Sequence, residues 1–228
     1  MINKLKNYLA EMIFPARCVW CERLGEFVCF ACEEKILKIN KQTCVFCGRI
    51  REKGATCKKC RNNHSLNGVL VYGYFKDKRL KEIVHQYKYE DLFALKIFLG
   101  RKLLDLLSRE GLDFDFIAYV PLTKKRLAKR GYNQSELLAK EIALTSKKEV
   151  VRVLKKTRET KTQVGLKRRE RGLNLSDAFE VIKKQDIENK RIIIVDDVIT
   201  TGSTLEECAK VLKKSGAKKV WGLTIAKE

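Results

Sequence analysis

The chain has 228 residues, 45% hydrophobic and 34% charged, which suits one medium domain with a real core plus a small module. No run of 18 apolar residues exists, so no transmembrane helix and no membrane insertion are expected. The formal net charge of +21 points to polyanion partners, nucleic acid or diphosphate, beyond what a merely lysine-rich surface needs, because the basic residues cluster.

In chain order, Met1 to Phe14 reads as an amphipathic helix with Leu5, Leu9, Met12 and Ile13 on one face, stopped by Pro15. It carries Lys4, Lys6 and Glu11 and lacks the small-residue cleavage site of a secretory leader, so a cytoplasmic location is expected. Four Cys-x-x-Cys pairs follow: Cys18/Cys21, Cys29/Cys32, Cys44/Cys47 and Cys57/Cys60. Two thiolates on one tight turn can bite a metal ion, and two such turns complete a tetrahedral shell. Eight thiolates therefore imply two structural Zn²⁺ ions. The short gaps favour Cys18, Cys21, Cys29 and Cys32 for one site and Cys44, Cys47, Cys57 and Cys60 for the other; crossed pairing stays open. Disulfides and iron–sulfur clusters use the same residue type, but a chain without secretory features favours zinc. Each four-thiolate zinc carries −2, so two loaded sites would bring the formal charge to about +17. Arg49, Arg51, Lys53, Lys58, Lys59 and Arg61, with Trp20 and Phe46 nearby, suit single-stranded nucleic acid; a module that only braces the second domain is the alternative.

A polar stretch from Asn62 to Gly68 marks the boundary between a module over 1–64 and a second domain over 65–228. Val69 to Phe75 reads as a strand, Arg79 to Tyr89 and Leu92 to Leu107 as amphipathic helices, and Phe114 to Val120 as a strand ended by Pro121. Asn133 opens a helix with Glu136 three residues on as a capping pair. Short strands are expected at Val150 to Leu154 and Ala178 to Val181. The last unit is a strand over 191–196, a helix over 203–214, Gly216 as its C-terminal stop, and a strand over 219–226. Alternating helix and strand predicts an α/β fold, a parallel sheet with helices on both faces and ligands at the carboxyl ends of its strands. Cys208 is expected to be a buried apolar cysteine. His64 and His85 are expected to be bystanders.

Three loops should meet at those strand ends. After the strand over 191–196 come Asp196 and Asp197, then Thr200, Thr201, Gly202, Ser203 and Thr204 at a helix start. A helix N-terminus offers unpaired N–H groups, Gly202 permits close backbone approach, and four hydroxyls can donate to phosphate oxygens. Two carboxylates can accept from a vicinal diol, so the set fits a phosphorylated sugar. An ordinary turn capped by Ser203 would need neither two acids nor four hydroxyls. The second loop spans Pro121 to Gln134, where the backbone N–H groups of Leu122, Thr123, Lys124 and Lys125 and the cations Lys124 and Arg126 could neutralise a diphosphate. The third, 155–174, is basic and lacks periodicity, which fits a functional lid with Gln163, Lys167, Arg168 and Arg171.

The acid pair with its hydroxyl turn resembles the phosphoribosyl diphosphate (PRPP) loop of type I phosphoribosyltransferases. The resemblance implies that Asp196 and Asp197 hold the ribose hydroxyls, 200–204 the 5′-phosphate, and 121–134 the diphosphate, with Mg²⁺ bound alongside PRPP. Arg130-Gly-Tyr-Asn-Gln134, Thr160-Lys-Thr-Gln163, Leu166, Arg171, Asn174 and Ala178-Phe179 extend the resemblance to the bacterial ComF (competence protein F) family, over essentially the whole chain. That family joins a type I phosphoribosyltransferase-like sheet to a zinc module. Its implied role is the uptake and handling of single-stranded DNA in natural transformation, with a competence helicase and recombination mediators as partners. An active phosphoribosyltransferase, of the glycosyltransferase class and acting on a nucleobase or amine, is the alternative. A transcription regulator of the same fold would place a winged helix where the cysteines stand. The zinc module is expected to sit as a hood over the sugar site.

Overall fold

The computed structural model describes residues 16–89, 94–159 and 177–228. The expected first helix and the lid residues Gln163, Lys167, Arg168 and Arg171 lie outside the described residues. Six strands and seven α-helices follow in order among those described. Helices α1 (Phe30–Glu33) and α2 (Lys58–Arg61) belong to the cysteine-rich part. Then come β1 (Gly68–Tyr74), α3 (Lys78–Tyr89), α4 (Leu95–Glu110), β2 (Phe116–Tyr119), α5 (Lys124–Arg130) and α6 (Gln134–Ser146). The remainder is β3 (Leu154–Lys156), β4 (Phe179–Val181), β5 (Arg191–Ile199), α7 (Ser203–Lys214) and β6 (Lys219–Lys227).

Strands β1, β6, β5 and β2 form a parallel sheet in that order, and β3 pairs with β4 antiparallel. The expected strand over Val150 to Leu154 divides. Val151 N–H donates to Ile117 O (2.8 Å) on the outer side of β2, whereas Leu154 opens β3. The central strand is apolar at every position from Ile192 to Val195, because both its faces are covered. The two-residue period divides these side chains between two cores. Ile192 and Ile194 pack with Leu205, Cys208 and Leu212 of α7, while Ile193 and Val195 pack with the apolar faces of α3, α4 and α6. Helices therefore cover both faces, as the alternation of elements predicts.

The cysteine-rich part closes the β1 edge, which would otherwise offer unpaired backbone groups to any passing strand. Lys38 bridges Gly73 and Ala55 bridges Gly68, both antiparallel. Between them buried Gln42 imitates a peptide unit: its Nε2 donates to Val71 O (3.0 Å) and its Oε1 accepts from Val71 N (3.1 Å).

Candidate functional site

Strand β5 carries Asp196 and Asp197 to the carboxyl end of the sheet, where α3 and α6 converge on them. The two acids are treated differently. Asp197 is 6% exposed; its Oδ2 accepts from Gln134 Nε2 (2.8 Å) and pairs with Lys88 Nζ (3.0 Å), and its Oδ1 accepts from Val198 N (2.5 Å). Half-buried Asp196 accepts on Oδ1 from Ser135 Oγ (3.1 Å) and Asp197 N (2.9 Å). Burial, then the neighbouring Asp197 charge, pushes the Asp196 carboxyl up to about 7; Lys88 and the Ser135 hydroxyl offset only part of this.

Lys88, Gln134 and Ser135 touch the acid pair, and no sequence motif assigns them that role. Part of the signal was in the Arg130-to-Gln134 run, which the fold turns into a support frame. Arg130 Nη1 donates to Gln134 Oε1 (2.7 Å) and so turns the amide N–H₂ toward Asp197. Tyr132 OH donates to Tyr87 O (2.7 Å), and Tyr87 OH returns a bond to Gln134 O (2.8 Å). Asn133 caps α6, its Oδ1 accepting from Ser135 N (3.0 Å) and Glu136 N (3.4 Å), as its position before Glu136 predicts.

Beyond β5 the chain turns through Thr200 and Thr201 into α7. Gly202 is the N-cap, in the left-handed region at φ +83°, and has no side chain with which to satisfy the first N–H groups of the helix. The Ser203 cap of the ordinary turn is thus not what is built; Ser203 Oγ instead shares a hydrogen bond with Thr201 Oγ1 (2.7 Å). Thr201 Oγ1 also accepts from Ser203 N (3.4 Å), so a hydroxyl of the turn itself lies over the first N–H of α7.

The expected diphosphate loop is in part helical. Thr123 caps α5, its Oγ1 accepting from Arg126 N (3.3 Å), and Gly131 ends that helix in the left-handed conformation. A carboxylate already rests on these donors: Glu159 Oε1 accepts from Thr123 Oγ1, and Glu159 Oε2 lies 3.5 Å from Arg126 Nε. The adjoining cleft, about 630 Å³, is lined by Lys124, Lys125, Lys155, Lys156 and Arg158 as well as Glu159. Burial, and after it the Arg126 charge, hold the Lys156 ammonium below its ordinary pKa.

The sulfur atoms settle into two sequential groups, Cys18/Cys21/Cys29/Cys32 and Cys44/Cys47/Cys57/Cys60, each with its sulfurs within 4.8 Å of one another. Crossed pairing is thereby set aside. Sγ atoms of Cys21 and Cys29, and of Cys47 and Cys57, stand 3.6 Å apart, close to the edge of about 3.8 Å that a tetrahedral zinc–thiolate shell requires. The Cys60 backbone N–H, set against burial, lowers the Cys57 thiol to about 6, while burial and the neighbouring thiols push Cys60 up to about 12. Four thiolates so close cannot all ionise without a cation, and zinc fits. Cys208 is fully buried on α7, as expected. Among the described residues neither histidine joins a sulfur group; the His64 ring stacks on Phe46 at 3.5 Å between centroids, and its Nδ1 lies 3.8 Å from Glu206 Oε1.

The second cysteine group reaches the hydroxyl turn. A Cβ at position 202 would stand 3.2 Å from Val45 Cγ2 and 3.7 Å from Phe46 Cε1, so the Cys44–Cys47 knuckle lies directly on the hydroxyl turn. Glu206, buried on the first turns of α7, accepts from Ser65 N (2.8 Å) and Leu66 N (3.1 Å) and ties the end of the module to that helix.

Sheet, rim and sulfur groups define a class: a phosphoribosyltransferase-type α/β domain joined to a double zinc ribbon. Residues 127–226 match the phosphoribosyl transferase domain model and residues 9–61 the double zinc ribbon domain model. The chain is 30% identical to competence protein F of Haemophilus influenzae, over 93% of this chain and 98% of that one. It is 32% identical to the DNA utilization protein YhgH of Escherichia coli K12, over 92% and 96% of the two chains, and 28% identical to competence protein ComFC of Bacillus subtilis, over 94% and 91%. The chain belongs to the competence protein F (ComF) family. No described helix is long and apolar enough to cross a membrane.

Proposed function

We propose that this protein binds PRPP with Mg²⁺ at the sheet rim and serves the handling of single-stranded DNA in the cytoplasm. The observation that carries the first half is the succession, on one strand-to-helix turn, of the half-buried Asp196 carboxylate and the hydroxyl-lined start of α7, whose N-cap Gly202 brings no side chain. The ribose hydroxyls would bond the acid, and the 5′-phosphate would take the N–H groups and hydroxyls of 200–204. The diphosphate would replace Glu159 on Thr123 and Arg126; the carboxylate now there supports these donors as an oxyanion seat. Mg²⁺ would neutralise charge between the diphosphate and the diol. Val45 and Phe46 would cover the phosphate end as a hood.

The DNA half rests on the exposed Lys124, Lys125, Lys155 and Arg158 around the cleft, on the net charge, and on relatives named for competence and DNA utilization. Transfer of the phosphoribosyl group to a nucleobase or amine is the alternative reading of the same site. Calorimetric titration with Mg·PRPP tests the binding, and loss of PRPP with release of diphosphate across a panel of acceptors would mark a transferase. Binding of a labelled oligonucleotide that weakens steeply with salt tests the DNA role; absent or salt-independent binding refutes it.

A further inference from the structure

The two acids of the rim are not equivalent, and the difference comes from a residue outside the recognised motifs. Asp197 is 6% exposed, and each of its oxygens is engaged: Oδ1 by Val198 N, Oδ2 by Gln134 Nε2 and the Lys88 ammonium. Lys88 is itself held at the last turn of α3, where Tyr132 OH donates to the Lys88 carbonyl (3.1 Å) and to that of Tyr87 (2.7 Å). Asp196 has one oxygen engaged, and among the described residues no donor meets its Oδ2. The Asp197 backbone N–H is one of the two groups that fix the bonded oxygen, so anchoring Asp197 also aims Asp196.

Resting on the PRPP reading above, we propose that the acids divide the work: Asp196 alone meets the ribose diol and its metal, while Lys88 and Gln134 hold Asp197 as an internal anchor that positions it. Two adjacent carboxylates beside a triphosphorylated sugar would repel it; an internal ammonium cancels one of those charges and leaves a single acid to face the ligand. Lys88 and Gln134 are positioning residues, since they act on the sugar through Asp197.

The test uses the full-length, zinc-loaded protein, Mg·PRPP as the probe, calorimetry for affinity and thermal melts for folding. Asp196→Asn should weaken binding by about 100-fold or more, the loss of charge-assisted bonds and a metal ligand. The double variant Lys88→Met/Asp197→Asn removes both members of the ion pair and leaves no buried charge; it should weaken binding by about tenfold, through misplacement of Asp196. Lys88→Arg, which keeps the charge, should stay within about threefold of wild type. A folded double variant as weak as Asp196→Asn would overturn the division of labour, and one indistinguishable from wild type would overturn the positioning role. If wild type takes up no Mg·PRPP, the PRPP reading fails, and the anchor is judged by the melts. Asp197→Asn, which strands Lys88, should then melt below the double variant; the reverse order overturns the anchor.

Discussion

The two cysteine groups are built from the same Cys-x-x-Cys pairs and stand in different surroundings. Cys18, Cys29 and Cys32 form a small buried cluster of their own, and α1 beside them is tied to α4 by Lys102 Nζ donating to Glu33 Oε1 (2.7 Å). Cys44 and Cys57 belong instead to the large core beneath α7, together with Phe46, Leu66 and the sheet residues Val69 and Ile194. One group is a satellite; the other is part of the wall of the rim site. A Cys-x-x-Cys pair specifies a metal, and what surrounds the metal decides whether function depends on it.

The contrast breaks most readily at the second group. Cys57→Ser/Cys60→Ser should halve the zinc content, lower the melting temperature by about 10 °C or more, and abolish Mg·PRPP binding, because the core under the hydroxyl turn loses its metal. Atomic absorption, a thermal melt and a titration on one preparation check this.

Asp196→Asn should cost about 100-fold in affinity and yet raise thermal stability above neutral pH. The folded carboxyl titrates at about 7, above its ordinary 3.8, so the folded chain keeps a proton that the unfolded chain gives up. Stability contributed by that proton is present at low pH and is lost as pH rises through this interval. The melting difference between variant and wild type should therefore be small near pH 4, grow toward pH 7, and level off beyond it. A difference independent of pH would show that Asp196 is not strained.

Gly202→Ala places a methyl group against Val45 at a left-handed position and should weaken PRPP about tenfold with both zinc ions retained. Glu159→Gln should tighten PRPP about threefold, since the competitor on Thr123 and Arg126 is an exposed ion pair of modest strength. The smallest effect is expected at the satellite. Cys18→Ser/Cys21→Ser should lose one zinc and leave PRPP affinity within about twofold. An equal loss from both cysteine groups would erase the distinction between them.

Features confined to a few consecutive residues were legible in the sequence. The four Cys-x-x-Cys pairs gave the metal groups, the run from Ile192 to Thr204 gave the acid pair and its turn, and Asn133 before Glu136 gave a cap. Apolar periodicity gave a parallel sheet with helices on both faces. What escaped were contacts between distant segments: Lys88 on Asp197, Glu206 on Ser65, Val45 on Gly202. Lys88 had the look of any basic residue in a charged helix, because nothing local separates a solvated lysine from one folded against a carboxylate. The helix within 124–130 was missed because a run of cations carries no apolar stripe, and its Thr123 and Gly131 caps went unread.

Phosphorus NMR of Mg·PRPP, followed as zinc-loaded protein is added, puts the grip on the phosphosugar most directly to the test. The 5′-phosphate and diphosphate resonances should both shift and broaden saturably, and Asp196→Asn should leave them where free PRPP has them. Resonances that stay unmoved with wild-type protein, or that move equally with the variant, would contradict a ribose 5-phosphate seat built from Asp196 and the 200–204 turn.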